Sequence, residues 1–143
     1  MFDNMSQHVA VLLLGSNKNN PIHQIENAIS KIVNSGCTIV NMSKIMETSP
    51  IEFESSNNFC NIALKINTFL SPFKLLKSMK AIEVEMGRIQ DSRFFGEYKD
   101  REIDIDIVFY DNIFFECENL SIPHIKHAYE RDFSKQLIAE IVT

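Results

Sequence analysis

Two stretches of the chain are each opened by a proline and closed by a glycine, in a sequence holding only four of either residue. Asn20-Pro21 leads into Ile22, Ile25, Ile29, Ile32 and Val33, and Gly36 ends the run. Ser71-Pro72 leads into Leu75, Leu76, Met79, Ile82 and Met86, and Gly87 ends it. Proline suits a first helical turn, where its missing N–H is not needed. Glycine suits the residue past the last turn, where the backbone turns left-handed. Both stretches are therefore predicted as amphipathic helices, and each must bury its apolar stripe against something else.

Strand-like segments surround them. Val9–Leu14 is wholly apolar, as in a strand covered on both faces, and Gly15-Ser16-Asn17 after it reads as a turn. Thr38–Thr48 is mixed and β-branched. Phe59–Ile66 and Ile103–Phe109 alternate, so side chains two apart share a face. The order β-α-β-β-α-β predicts an α+β, ferredoxin-like sandwich: an antiparallel sheet with helices on one face and the other face open for a site. A short hairpin about Asp111-Asn112 and a C-terminal helix from about His127 are expected as additions. With 143 residues, one domain over 1–143 is expected, its first eight residues a flexible N-terminus.

Net charge −5 argues against a general nucleic-acid binder. The longest apolar run, Val9–Leu14, is too short to cross a bilayer, and Met1-Phe2-Asp3-Asn4 lacks the start of a signal peptide. Cys37, Cys60 and Cys117 are odd in number and widely spaced, which suits free thiols in a reducing cytoplasm.

The chemistry concentrates in Arg101-Glu102-Ile103-Asp104-Ile105-Asp106-Ile107. On a strand the three isoleucines take the core face, while Asp104 and Asp106 stand together on the other, roughly 7 Å apart. Carboxylates so placed repel unless a cation lies between them, and hard oxygen ligands suit one or two Mg²⁺. Alone, the pattern better describes an edge strand with a solvated acidic face. All four arginines, however, lie in the second half of the chain: Arg88, Arg93 and Arg101 before the aspartates, and Arg131 after them. Guanidinium forks match phosphate oxygens, so arginine and metal together favour a polyphosphate ligand. Phe59 and Asn61 share the aspartates' face and would suit a flat heterocycle by stacking and hydrogen bonding. A phenylalanine in a minor second core beside a solvated amide is the plainer alternative. His124 reads as structural or nucleotide-contacting, and His8, His23 and His127 lack metal-ligand company.

In order along the chain, Leu14-Gly15-Ser16-Asn17, Glu47-Thr48-Ser49-Pro50-Ile51, Asn58-Phe59-Cys60-Asn61, Met86-Gly87-Arg88, the Arg-x-x-Asp-x-Asp run, Pro123-His124 and Arg131-Asp132-Phe133 form a set. That set resembles the 6-hydroxymethyl-7,8-dihydropterin pyrophosphokinase family from Val9 to about Ile141. The resemblance implies pyrophosphate transfer from ATP to the pterin's hydroxymethyl oxygen, with AMP leaving, in folate biosynthesis. It implies two Mg²⁺ on Asp104 and Asp106, and Arg88 and Arg101 on the phosphates and the transition-state charge. Phe59 and Phe133 would sandwich the pterin, Asn61 would hydrogen-bond it, and Thr48, Ser49 and Ile51 would read its edge. Glu83, Arg88, Arg101, Ile107, Ser121, His124 and Arg131 would line the ATP site. Its partners would be ATP and the pterin, with neither nucleic acid nor membrane, and the protein a monomer.

The sequence departs from the family pattern in places. The stretch Arg93–Arg101 is longer than the usual form and lacks its Trp, Lys80 stands where an amide is common, and one extra residue precedes Arg131. Two rival readings are a ferredoxin-like ligand-binding module and a degenerate homologue that binds pterin without turnover.

Overall fold

A computed structural model describes residues 6–48, 58–87 and 102–142. The expected long loop between Arg88 and Asp100 lies outside the described residues, as do Ser49, Ile51 and Arg101. The sheet is built from β1 (His8–Ser16), β2 (Thr38–Met42), β3 (Met46–Thr48), β4 (Phe59–Thr68) and β5 (Asp104–Tyr110). Helices α1 (Pro21–Asn34) and α2 (Pro72–Glu85) connect them, and α3 (Asp132–Ala139) follows a π-helical turn at Lys126–Glu130. The strand order is β2-β4-β1-β5, all pairs antiparallel, with β3 sharing the β2 edge of β4. This is the ferredoxin-like arrangement that the element order predicted.

Local chemistry accounts for both helices. Pro21 and Pro72 lie in their first turns, and the Ser71 hydroxyl caps α2 by accepting from the Lys74 N–H. Past their ends, Gly36 and Gly87 take φ of 107° and 118°, a conformation that glycine reaches without a Cβ penalty. The buried stripe of α1 is Ile25, Ala28 and Ile32, whereas Ile22 and Val33 of the expected stripe are 49% and 46% exposed. With Leu75, Met79 and Ile82 of α2, it packs on Leu12 and Leu14 of β1, Ile62, Leu64 and Ile66 of β4, and Ile105 and Ile107 of β5.

Four expectations are corrected. First, the opposite face of the sheet is not wholly open. Leu137 and Ile138 of α3, together with Ile141, cover Val11, Leu13, Ala63 and Val108 there, which is why β1 is apolar on both faces. Second, the segment Thr38–Thr48 is two strands. In the gap, Ser43 bonds the main chain of β4 at Ala63, through its N–H to the carbonyl (2.9 Å) and its Oγ to the N–H (2.9 Å). Third, β5 does not alternate to its end. Val108 is an extra residue opposite β1, a β-bulge that turns Val108 and Phe109 to the same side. Fourth, Asp111 does not turn a hairpin. Its φ is 48°, and its carboxylate accepts from the Val9 N–H (2.9 Å) and meets His8 Nδ1 (2.7 Å), fastening the end of β5 to β1. The hairpin comes later, as β6 (Phe115–Glu116) and β7 (Ser121–Ile122).

Candidate active site

The open end of the second sheet face is organised by strand register. Gly15 belongs to β1 rather than to a turn, and it pairs with Asn61 on one side and Asp104 on the other. One row further, Leu13 lies between Ala63 and Asp106. Residues in register across a sheet point to the same face, so Asn61, Asp104 and Asp106 share one floor. Gly15 keeps that floor clear. A Cβ at this position would stand 3.0 Å from Asn61 Oδ1 and 3.5 Å from Phe59 Cδ1.

Asn61 is buried, and its amide nitrogen donates to Thr48 Oγ1 (2.9 Å) and to the Met46 carbonyl (3.3 Å). Both partners are on β3, so the strand break that produced β3 also orients this amide. Phe59 begins β4, paired with Thr48, and is half-buried. Phe133, at the start of α3, packs on the α3-side core and meets the His127 ring edge-on at 6.2 Å.

Asp106 has the best-defined surroundings. Its Oδ2 lies 2.8 Å from His127 Nε2 and 3.9 Å from His124 Nε2. Burial works against ionising Asp106, but the His127 hydrogen bond and the charges of His127, His124 and Lys80 outweigh it. The carboxyl is held well below the usual carboxylate range. For His124, burial is the largest influence and lowers its pKa; His127 and Arg131 add to this, and Asp106 and Asp104 oppose it.

His127 is the residue that sequence reading missed, having been set aside as lacking metal-ligand company. In the fold, Asp106, His124 and His127 each bring one ligand-type atom within 4.8 Å of the others. The available signal was local: His124 and His127, three apart after Pro123, share a face on helical spacing. What brings them to Asp106 is the β5 bulge. The Val108 carbonyl, outside the β1 ladder, accepts the His124 N–H at 2.9 Å.

Other expected positions divide. Glu83 is 1% exposed; its Oε2 accepts the Ile105 N–H (2.6 Å) and its Oε1 lies 3.4 Å from Lys80 Nζ. It thus ties α2 to the edge of β5. Ile107 turns into the helix-side core, away from the aspartates. Ser121 is on β7, paired with Glu116. Arg131 closes the π-helical turn, its N–H donating to the Lys126 carbonyl at 2.8 Å. A π turn holds one residue more than an α turn, which accommodates the extra residue noted before Arg131. Arg88 and Arg101 lie outside the described residues.

Residues 11–143 match the family described as 7,8-dihydro-6-hydroxymethylpterin-pyrophosphokinase (HPPK). The 2-amino-4-hydroxy-6-hydroxymethyldihydropteridine pyrophosphokinase of Bacillus subtilis is 33% identical over 135 residues, covering 94% of this chain and 78% of the relative. Its Haemophilus influenzae namesake is 37% identical over 116 residues, covering 80% of this chain and 70% of the relative. The folic acid synthesis protein fol1 of Schizosaccharomyces pombe is 35% identical over 133 residues; the match takes in 92% of this chain but only 18% of that longer protein. A crystal structure of Plasmodium falciparum HPPK-DHPS shares the fold, with a TM-score of 0.70 at 19% identity over 98% of this chain and 43% of that one.

Proposed function

Because the chain belongs to the 7,8-dihydro-6-hydroxymethylpterin-pyrophosphokinase family, we propose that it transfers pyrophosphate from ATP to the hydroxymethyl oxygen of 6-hydroxymethyl-7,8-dihydropterin. The hydroxymethyl oxygen bonds to the β-phosphorus and gives up its proton to solvent, the bond from that phosphorus to the α–β bridging oxygen breaks, and AMP leaves. The observation that carries this reading is the row Asn61, Gly15, Asp104, with Asp106 one row on: a side-chain amide and a carboxylate pair on one floor.

In this reading Phe59 and Phe133 flank the pterin ring and Asn61 hydrogen-bonds it, with Thr48, Ser49 and Ile51 at its edge. The Asn61 amide is already oriented through Thr48 and Met46, so binding demands little reordering. Asp104 and Asp106 would hold two Mg²⁺, and their side chains fit that role: hard oxygens two apart on a strand, with Asp106 kept ionised. When bound, the ions supply charge neutralisation on the triphosphate. His124, Arg131, Glu83 and Ser121 belong to the ATP side, with Arg88 and Arg101 on the phosphates. The chain's own contribution is positioning and charge complementarity, with no covalent intermediate.

The same reading takes the protein as a cytoplasmic monomer. Its free cysteines suit a reducing setting, and among the described residues no helix is long and apolar enough to cross a membrane. The test is to incubate protein, Mg²⁺, ATP and the pterin, and to identify the nucleotide product. AMP with pterin pyrophosphate is expected. ADP alone would mean an ordinary kinase, and tight pterin binding without turnover would mean a degenerate homologue.

A further inference from the structure

We infer that His127, braced by Ser134, is a positioning residue that fixes the Asp106 carboxylate, keeping one of its oxygens turned to the histidines and the other free for a cation. This rests on the proposed function for its consequence, while the hydrogen-bond chain stands on geometry alone.

Ionised Asp106 offers only lone pairs, so at 2.8 Å the His127 Nε2–H donates to Oδ2. On the far side of the ring Nδ1 shares a hydrogen bond with the Ser134 hydroxyl, 2.6 Å away, so the imidazole is held at both nitrogens. His127 and Ser134 are both buried. Ser134 sits on α3, which is packed against the sheet by Leu137 and Ile138, so the brace is anchored in the α3-side core. His124 is fixed in the same sense. Its Nδ1 accepts the His127 main-chain N–H (3.3 Å), which places the proton of the neutral ring on Nε2, the nitrogen facing Asp106.

The hydrogen bond into His124 Nδ1 stands against the obvious alternative, in which Asp106, His124 and His127 themselves form a three-donor metal site. Each imidazole would then need a bare Nε2, and the bond into His124 Nδ1 favours the other tautomer. The histidines instead act as donors to a carboxylate. Two acidic side chains that repel on one strand face gain from such a bond, because it holds Asp106 in place before any cation arrives.

The test uses Mn²⁺ as the probe, titrated by electron paramagnetic resonance into the full-length, untagged protein carrying a non-hydrolysable ATP analogue. Mg²⁺ dependence of turnover is measured alongside. His127→Phe, folded by circular dichroism, is expected to bind Mn²⁺ about 10–100-fold more weakly and to need correspondingly more Mg²⁺, with pterin affinity unchanged. His127→Gln, which keeps a donor near Nε2, should recover most of the loss. Ser134→Ala should shift both readouts in the same direction by less, and it serves as the test should His127→Phe not fold. Unchanged Mn²⁺ binding in folded His127→Phe or in Ser134→Ala would overturn the inference, as would equal losses in His127→Gln and His127→Phe. Co²⁺ bound without nucleotide, and lost in His127→Gln, would make His127 a ligand and overturn it too. Failure to form AMP in the wild type would count against the proposed function, whereas the Mn²⁺ result addresses His127.

Discussion

The main-chain N–H of Ile105 donates to Oε2 of Glu83 at 2.6 Å, joining the edge strand that carries both aspartates to the second helix. A carboxylate this deeply buried needs such partners, and Lys80 supplies a second at 3.4 Å. Removing it strands an N–H on a strand edge. Glu83→Ala should therefore lower stability by about 1–3 kcal/mol, measured by urea unfolding, and Glu83→Gln by less because an acceptor remains. An unchanged midpoint in Glu83→Ala would limit Glu83 to a role at the nucleotide.

Gly15 is the spacer of the site floor. In Gly15→Ala the new Cβ would press on Asn61 Oδ1 while only touching Phe59 at an ordinary van der Waals distance, so Asn61 must give by a few tenths of an ångström against its bond to Thr48. Pterin affinity should fall by up to about tenfold, the worth of one impaired hydrogen bond, with the fold kept and ATP affinity unchanged. Calorimetric titration with each substrate separates the two.

Asp104 and Asp106 should prove unequal in stability and alike in activity. Alanine at either should cut turnover by orders of magnitude, since each carries part of the proposed cation site. Asp106→Ala also leaves the buried Nε2–H of His127 without its acceptor, a loss of about 1–3 kcal/mol. Relief of repulsion between the two aspartates works the other way but is smaller at the strand's solvent-facing side. Parallel unfolding curves and AMP assays would show whether stability separates the pair.

Asp111 gives a pH-dependent fastening. Burial opposes its ionisation, but the Val9 N–H and His8 outweigh this and lower its pKa in the folded state. A depressed folded-state pKa means that its stabilisation is present above the unfolded value, about 3.9, and is lost as pH falls through the folded one. Asp111→Asn should thus be less stable than the wild type near neutral pH, with the gap closing under acid. A gap of constant size in unfolding experiments across that range would contradict the assignment.

Much of this molecule is legible in local pattern. Proline and glycine bracket α1 and α2, and alternation assigns Asp104, Asp106, Phe59 and Asn61 to faces, because helix punctuation and strand periodicity depend on near neighbours only. The element order then allows few topologies, and the ferredoxin-like one follows. The pair of aspartates, the clustered arginines and the family resemblance point to phosphoryl-type chemistry without reference to the fold.

The rest depends on which segments become neighbours. Nothing local to Val108 announces a bulge; it exists relative to β1, and its freed carbonyl captures His124. Ser43 interrupts a β-branched stretch because its side chain and main chain together satisfy Ala63, a residue distant in sequence. The cover of α3 over Val11 and Leu13 follows from an apolar stripe whose partner no periodicity names. His127 looked solitary in the sequence because hydrogen bonds to Asp106 and Ser134 form only when β5, the π-helical turn and α3 are brought together. A side chain's chemistry is local, but its partners are set by the packing of the whole chain.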